Sequence, residues 1–112
     1  MAYIYKAIDS YSIHYLSYKE SQYDATIRLY DKDSTCLGYL AFIKNKEPIG
    51  NNMYYPETGY IILKYRINQF KDIFNILLHD NPLWLQMDDV YYNGSISSGK
   101  EPIGELEPPH EV

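Results

Sequence analysis

The chain contains one cysteine, Cys36, so neither an intrachain disulfide nor a cysteine-based zinc site can form. That usage fits a reducing, cytoplasmic setting. No apolar run approaches the roughly 20 residues needed to cross a bilayer, so no membrane partner is expected. The opening "MAYIYKAIDSYSIHYL" has no basic leader ahead of an apolar stretch and does not read as a signal peptide. Cations are also scarce. Ten Lys and Arg stand against fifteen Asp and Glu, a net charge of −5, which disfavours tracking a phosphate backbone with the whole surface.

Chemistry-bearing patterns are equally thin. "SISSGK" lacks the glycine and lysine spacing of a phosphate-binding loop, and no HExxH or CxxC pattern occurs. His14, Cys36 and His79 fall in different predicted elements, where packing or surface roles suit each of them better than catalysis. His79 sits at the end of a predicted helix, where a cationic side chain favours the dipole. His110 lies in the tail. Asp31 with Asp33, and Asp88 with Asp89, could pair as oxygen ligands for a divalent ion. Acidic pairs at hairpin tips more often serve as turn residues. No cofactor, no metal and no catalytic residue is expected, and the balance leans away from an enzyme.

Tyrosine is abundant, with fourteen copies. A flat ring that packs on a pleated surface while its hydroxyl reaches water suits strands. "DATIRLYD" alternates Ala25, Ile27 and Leu29 with Thr26, Arg28 and Tyr30, the period of a half-buried strand. "CLGYLAFIK" is apolar on both faces, as a central strand would be. "YIILKYRI" follows a long connection. Apolar residues at Ile67, Phe70, Ile73, Phe74, Leu77 and Leu78 keep helical spacing. Asn68 is the expected cap, and Pro82 disfavours helical geometry beyond His79. Phe74 and Leu77 are expected in the core. "LWLQM" reads as a short strand, and Asn93-Gly94 as a tight hairpin turn.

These elements predict a two-layer α+β domain over residues 1–104, an antiparallel sheet of about five to seven strands with one helix, about 68–80, on one face. Residues 105–112 form an acidic, Pro/Glu-rich tail. The pentapeptide "KEPIG" occurs at Lys46–Gly50 and at Lys100–Gly104. Its flanks do not repeat, so a duplicated domain is not indicated. Its last four residues, Glu-Pro-Ile-Gly, place Pro second and Gly fourth, which suits a type I turn used twice. A paired contact site is the functional alternative.

If Ile27, Leu29, Leu40, Phe42, Ile61 and Leu63 face the helix, the opposite face displays Arg28, Tyr30, Tyr39, Tyr60, Ile62, Lys64 and Arg66. Tyr and Arg together favour a protein-interaction or oligomerising surface, including a homodimer that buries Ile43 and Ile62. Rings interleaved with cations also suit single-stranded nucleic acid. Strands followed by a helix resemble, in element order, the single-stranded-DNA-binding transcriptional coactivators. A small acidic inhibitor of a basic site is the third reading, and it requires carboxylates gathered on one surface.

Overall fold

Strand β3 (Tyr23–Tyr30) buries Ala25, Ile27 and Leu29 completely, as its alternation requires. It occupies an interior position in a five-stranded sheet. A computed structural model describes residues 3–17, 20–80 and 82–98. Among them are β1 (Tyr3–Ile8), β2 (Ser10–Tyr15), β3, β4 (Cys36–Ile43), β5 (Met53–Tyr55) and β6 (Tyr60–Arg66). A 3₁₀ turn (Ile67–Gln69), helix α1 (Phe70–His79), β7 (Leu83–Asp88) and β8 (Gly94–Ser98) complete the order. The α+β class and the single helix are as expected, and no described helix is long and apolar enough to cross a membrane.

The strands divide into two sheets rather than one. The larger runs β2-β3-β4-β6-β5 and the smaller β1-β7-β8. Only Asp9 separates β1 from β2, yet the two strands belong to different sheets, and the Asp9 N–H donates to the Tyr30 carbonyl at the corner, 2.8 Å away. All pairings are antiparallel except β4 with β6. After β4 the chain passes outward to β5 and returns through β6 between them, which makes β6 parallel to β4.

Gly38 permits that pairing. Its φ is +150°, and a Cβ there would fall 1.8 Å from the Ile61 carbonyl oxygen. Only glycine allows both the backbone angle and the close approach. A register shift between Leu29 and Tyr30 lies opposite it, so the sheet is irregular at that point.

The inward side of the large sheet, the helix and Leu83, Leu85 and Met87 of β7 form one core. Phe42 is at its centre, fully buried and edge-on to Phe70 at 4.9 Å. Ile73 and Leu77 are the buried residues of α1. Phe74 differs from expectation: it is only half-buried, with Tyr11 edge-on at 5.9 Å and Phe70 stacked at 5.9 Å. Leu78 is 49% exposed, so the apolar stripe is narrower than the sequence implies. The helix start is also different. The Arg66 backbone N–H donates to Gln69 Oε1 at 3.0 Å, and Asn68 lies within the 3₁₀ turn rather than capping it.

Two turns depart from their sequence signatures. The first KEPIG copy turns earlier than Pro48: Glu47 N–H donates to the Lys44 carbonyl at 3.2 Å, with Lys46 at φ 76°. The second copy lies outside the described residues. Asn93-Gly94 does not form a two-residue hairpin, because residues 89–93 make a longer loop closed by Asp88 N–H to Asn93 O, 3.0 Å. Gly94 is needed for packing, since a Cβ there would sit 2.3 Å from Leu63 Cδ2.

Candidate functional site

The face of the large sheet turned away from the core carries the expected residues. One row across the strands reads Ser12, Arg28, Tyr39, Ile62 and Met53, and the next His14, Thr26, Ala41 and Lys64. Tyr30, Tyr60 and Arg66 share this side by strand alternation. Arg28, Tyr30, Tyr39 and Tyr60 converge, with the Tyr39 and Tyr60 rings edge-on at 6.0 Å. The Tyr30 hydroxyl shares a 3.0 Å hydrogen bond with Ser12 Oγ.

Ile62 is not displayed. It is 5% exposed, and its neighbours on this side, Ala41 and Ile43, are at 0% and 1%. Their register neighbours include phenols: Tyr23 lies opposite Ile43 and Tyr39 beside Ile62. Tyr39 and Met53 flank Ile62 in register, and the side chains of Tyr23 and Tyr55 approach Tyr39. The apolar dimer contact expected through Ile43 and Ile62 is therefore already spent inside one chain.

Burial pushes the Tyr39 phenol above its ordinary value, the Tyr23 and Tyr55 phenols add to the rise, and Arg28 opposes it. Burial also raises the Tyr60 phenol, helped by its contact with the Cys36 thiol at 3.6 Å and again opposed by Arg28. Arg28 thus stands within electrostatic reach of two protonated phenols. The Cys36 thiol donates to the Gly38 carbonyl and meets the Tyr60 hydroxyl, each at 3.6 Å.

The other two cations face a loop. Arg66 Nη1 donates to the carbonyls of Lys44, at 3.2 Å, and Glu47, bracing the turn between them. Lys64 Nζ lies over Gly50, and the Lys64 backbone N–H donates to Asn52 Oδ1 at 2.9 Å. Arg28 is left as the exposed cation among the rings.

Sequence alternation missed Tyr23, Cys36, Met53 and Tyr55. A register shift after Tyr23 carries it to the outer side opposite Ile43, and Met53 and Tyr55 lie in what reads as a connection. The cluster "NNMYY" before a turn held the only signal for β5.

The dispersed candidates remain apart. His14 and His79 are exposed in β2 and at the end of α1, and the described residues contain no group of three or more potential metal ligands. Asp31 Oδ1 accepts the N–H groups of Asp33 and Thr35, each at 2.9 Å. The Asp88 carboxylate accepts from Tyr91, Val90 and Asn93 at 2.5, 3.0 and 3.1 Å. The Tyr91 N–H above all holds its carboxyl below the usual range. Both residues organise turns. A cleft of about 540 Å³ gathers Asp9, Asp31 and Asp33, but Lys6 and Lys32 line it too.

No protein-family model, curated protein or solved structure matches this chain. The resemblance to the coactivators therefore has only element order behind it, and the chemistry of the face carries the functional argument.

Proposed function

We propose that the protein is a non-catalytic protein-binding module that works through the outer face of the large sheet. The observation that carries this reading is Arg28, exposed among Tyr30, Tyr39 and Tyr60 on a floor of buried Ile62. Tyr and Arg dominate interface energies because each combines a large contact area with hydrogen bonding. The partner surface it fits offers a carboxylate to Arg28 and flat apolar area to the rings. Self-association through this face is the weaker form of the proposal, because Ile43 and Ile62 offer little further area to bury. A cytoplasmic setting belongs to the same proposal and has the single cysteine behind it.

Single-stranded nucleic acid fits less well. Arg66 is engaged by two carbonyls, which leaves Arg28 and Lys64 to meet phosphates on an acidic protein. The inhibitor reading lacks a uniformly acidic surface, since Asp31 and Asp88 are tied into separate turns and lysines share the cleft beside Asp9.

The test is quantitative affinity enrichment with the wild-type chain, Arg28→Ala and a Lys71→Ala control on the exposed side of the helix. A set of proteins lost with Arg28→Ala but kept with Lys71→Ala is expected. Identical sets for all three chains would sink the proposal. Light scattering with and without an oligo-dT strand separates the alternatives, because steeply salt-dependent binding of the strand would favour nucleic acid.

A further inference from the structure

The sequence contains one Asn-Gly pair, Asn93-Gly94, and the fold does not use it as a two-residue turn. Asn93 is exposed at the end of loop 89–93, and Gly94 opens β8, an edge strand of the small sheet. The Asp88 N–H donates to the Asn93 carbonyl, which makes these two a hydrogen-bonded pair. In an antiparallel ladder the next pair, Met87 with Gly94, is then of the non-hydrogen-bonded kind. The Gly94 N–H therefore points away from β7, to an edge that no described strand covers. Glycine has no Cβ to shield that nitrogen. An exposed carboxamide thus directly precedes an amide nitrogen that the ladder leaves unengaged.

We propose that Asn93 is a modification site, where the chain converts spontaneously to isoaspartate, and that conversion releases the loop held by Asp88. The Gly94 nitrogen gives its proton to solvent base and bonds to Asn93 Cγ. The Cγ–Nδ2 bond breaks, and the amide takes a proton from water and leaves as ammonia. Water then opens the five-membered imide. Cleavage between the nitrogen and Cγ gives aspartate, and cleavage between the nitrogen and the main-chain carbonyl carbon gives isoaspartate. One water is consumed and one ammonia released, with no oxidant or reductant. Every other asparagine precedes a residue whose side chain crowds the same attack.

The surroundings give the product its effect. In isoaspartate the main chain runs through Cγ, so the carbonyl that accepts the Asp88 N–H becomes a free carboxylate beside the chain. That charge arises next to the Asp88 carboxylate, which accepts the Asn93 N–H at 3.1 Å. Loop 89–93 already carries Asp89 and contains no Lys or Arg. Like charges this close repel. The backbone is also one atom longer. An inward shift of β8 cannot absorb that atom, because even a Cβ on Gly94 would sit 2.3 Å from Leu63 Cδ2. The loop takes it up instead. Tyr92 is held there at φ 59°, unfavourable for a bulky side chain, and its carbonyl accepts from Asn52 Nδ2 at 2.9 Å. Once Asp88 lets go, nothing holds that angle, and the tie to the residue preceding β5 goes with it.

The experiment ages the full chain in mildly alkaline buffer beside the synthetic peptide DVYYNGSIS. Peptide mapping, with fragmentation that separates isoaspartate from aspartate, should find isoaspartate at position 93 and the other asparagines intact. Its rate should be no less than roughly a tenth of the peptide's. Phe74→Ala, which raises the unfolded population without touching the loop, should convert at the wild-type rate. Hydrogen exchange in the aged chain should be faster at residues 90–93 and unchanged in β3 and β4. Asn93→Gln, whose imide would be six-membered and slow to close, should show neither conversion nor faster exchange. An Asn93 that keeps its amide while the peptide converts would overturn the proposal, because the fold would be protecting it. Conversion that accelerates in Phe74→Ala in proportion to its lost stability would assign the chemistry to the unfolded chain and overturn it as well. Conversion without faster exchange at residues 90–93 would overturn the release of the loop.

Discussion

Two sheets of this protein each present an outer face rich in aromatic side chains, but the rings do different work. On the large sheet, Tyr39 and Tyr60 pack edge-on beside Ile62, while Tyr23 lies opposite Ile43, so the sheet's own side chains cover its outer apolar residues. On the small sheet, Tyr3 and Tyr5 stand in solvent beside Trp84 and cover little. The contrast teaches that tyrosine content does not measure binding surface. A ring that roofs an apolar floor contributes stability, and a ring standing clear is available to a ligand.

The sharpest way to break this comparison is to place a charge on each face. Ile62→Asp buries a carboxylate under the rings and should cost about 3 kcal/mol or more in denaturant unfolding. Ala7→Asp, on the exposed face of the small sheet, should cost no more than about 1 kcal/mol, mostly through strand propensity. Equal losses would mean that the large-sheet face has no roof. Strand alternation alone puts Ile62 on the displayed face, but its burial makes Ile62→Asp a substitution inside the packed structure.

A second contrast, of similar size, is expected under the helix. Phe42→Ala should remove about 3–5 kcal/mol, whereas half-buried Phe74→Ala should remove roughly 2. Melting curves of the two variants check the ranking. A Phe74 effect as large as that of Phe42 would mean that the helix edge is as tightly packed as the core.

The faces should also respond at opposite ends of the pH scale. Asp88 has a lowered folded pKa, so its contribution is present above its ordinary value near 3.8 and is lost as pH falls through the folded value. Asp88→Asn should flatten the acid limb of the stability curve. Tyr39 and Tyr60 have raised folded pKa values, so their contribution is present below about 10 and is lost as pH rises towards and through the folded values. The Tyr39→Phe/Tyr60→Phe variant should flatten the alkaline limb and leave the acid limb alone. Ultraviolet phenol titration beside denaturant curves separates the two.

The smallest change in stability should come from Arg28→Ala, within about 0.5 kcal/mol, because the side chain is exposed. Its effect on partner binding should reach about 2 kcal/mol if it is a contact hot spot. Calorimetry on the recovered partner measures that loss. A binding loss matched by an equal stability loss would make Arg28 part of the roof instead.

The sequence made the helix and β3 plain, because six apolar positions at helical spacing and a clean alternation are local signals. The division into two sheets was not legible, since a single residue, Asp9, redirects the chain and nothing in its neighbourhood encodes the change. Nor was the parallel entry of β6, which depends on Gly38 meeting Ile61 across twenty-three positions. For the candidate face, alternation identified the side on which Arg28, Tyr39 and Tyr60 lie. It could not tell that Ile62 is roofed, because cover arises from ring orientations across neighbouring strands. The Asn-Gly signal misled for a comparable reason: Asp88 organises the loop, and glycine serves Leu63 packing.

The pairing of β1 with β7 sets the order of assembly. Tyr3 lies opposite Asp88, a separation of eighty-five positions, and α1 and the whole large sheet lie between them. Closing so long a loop costs entropy before any contact rewards it. The β2–β3–β4 meander, whose partners are near in sequence, can form early, while β1 waits for β7 and β8. Folding should therefore be slow for a chain of this size, in the millisecond-to-second range typical of non-local sheets. During synthesis, the rings of Tyr3 and Tyr5 emerge well before the strand they pair with.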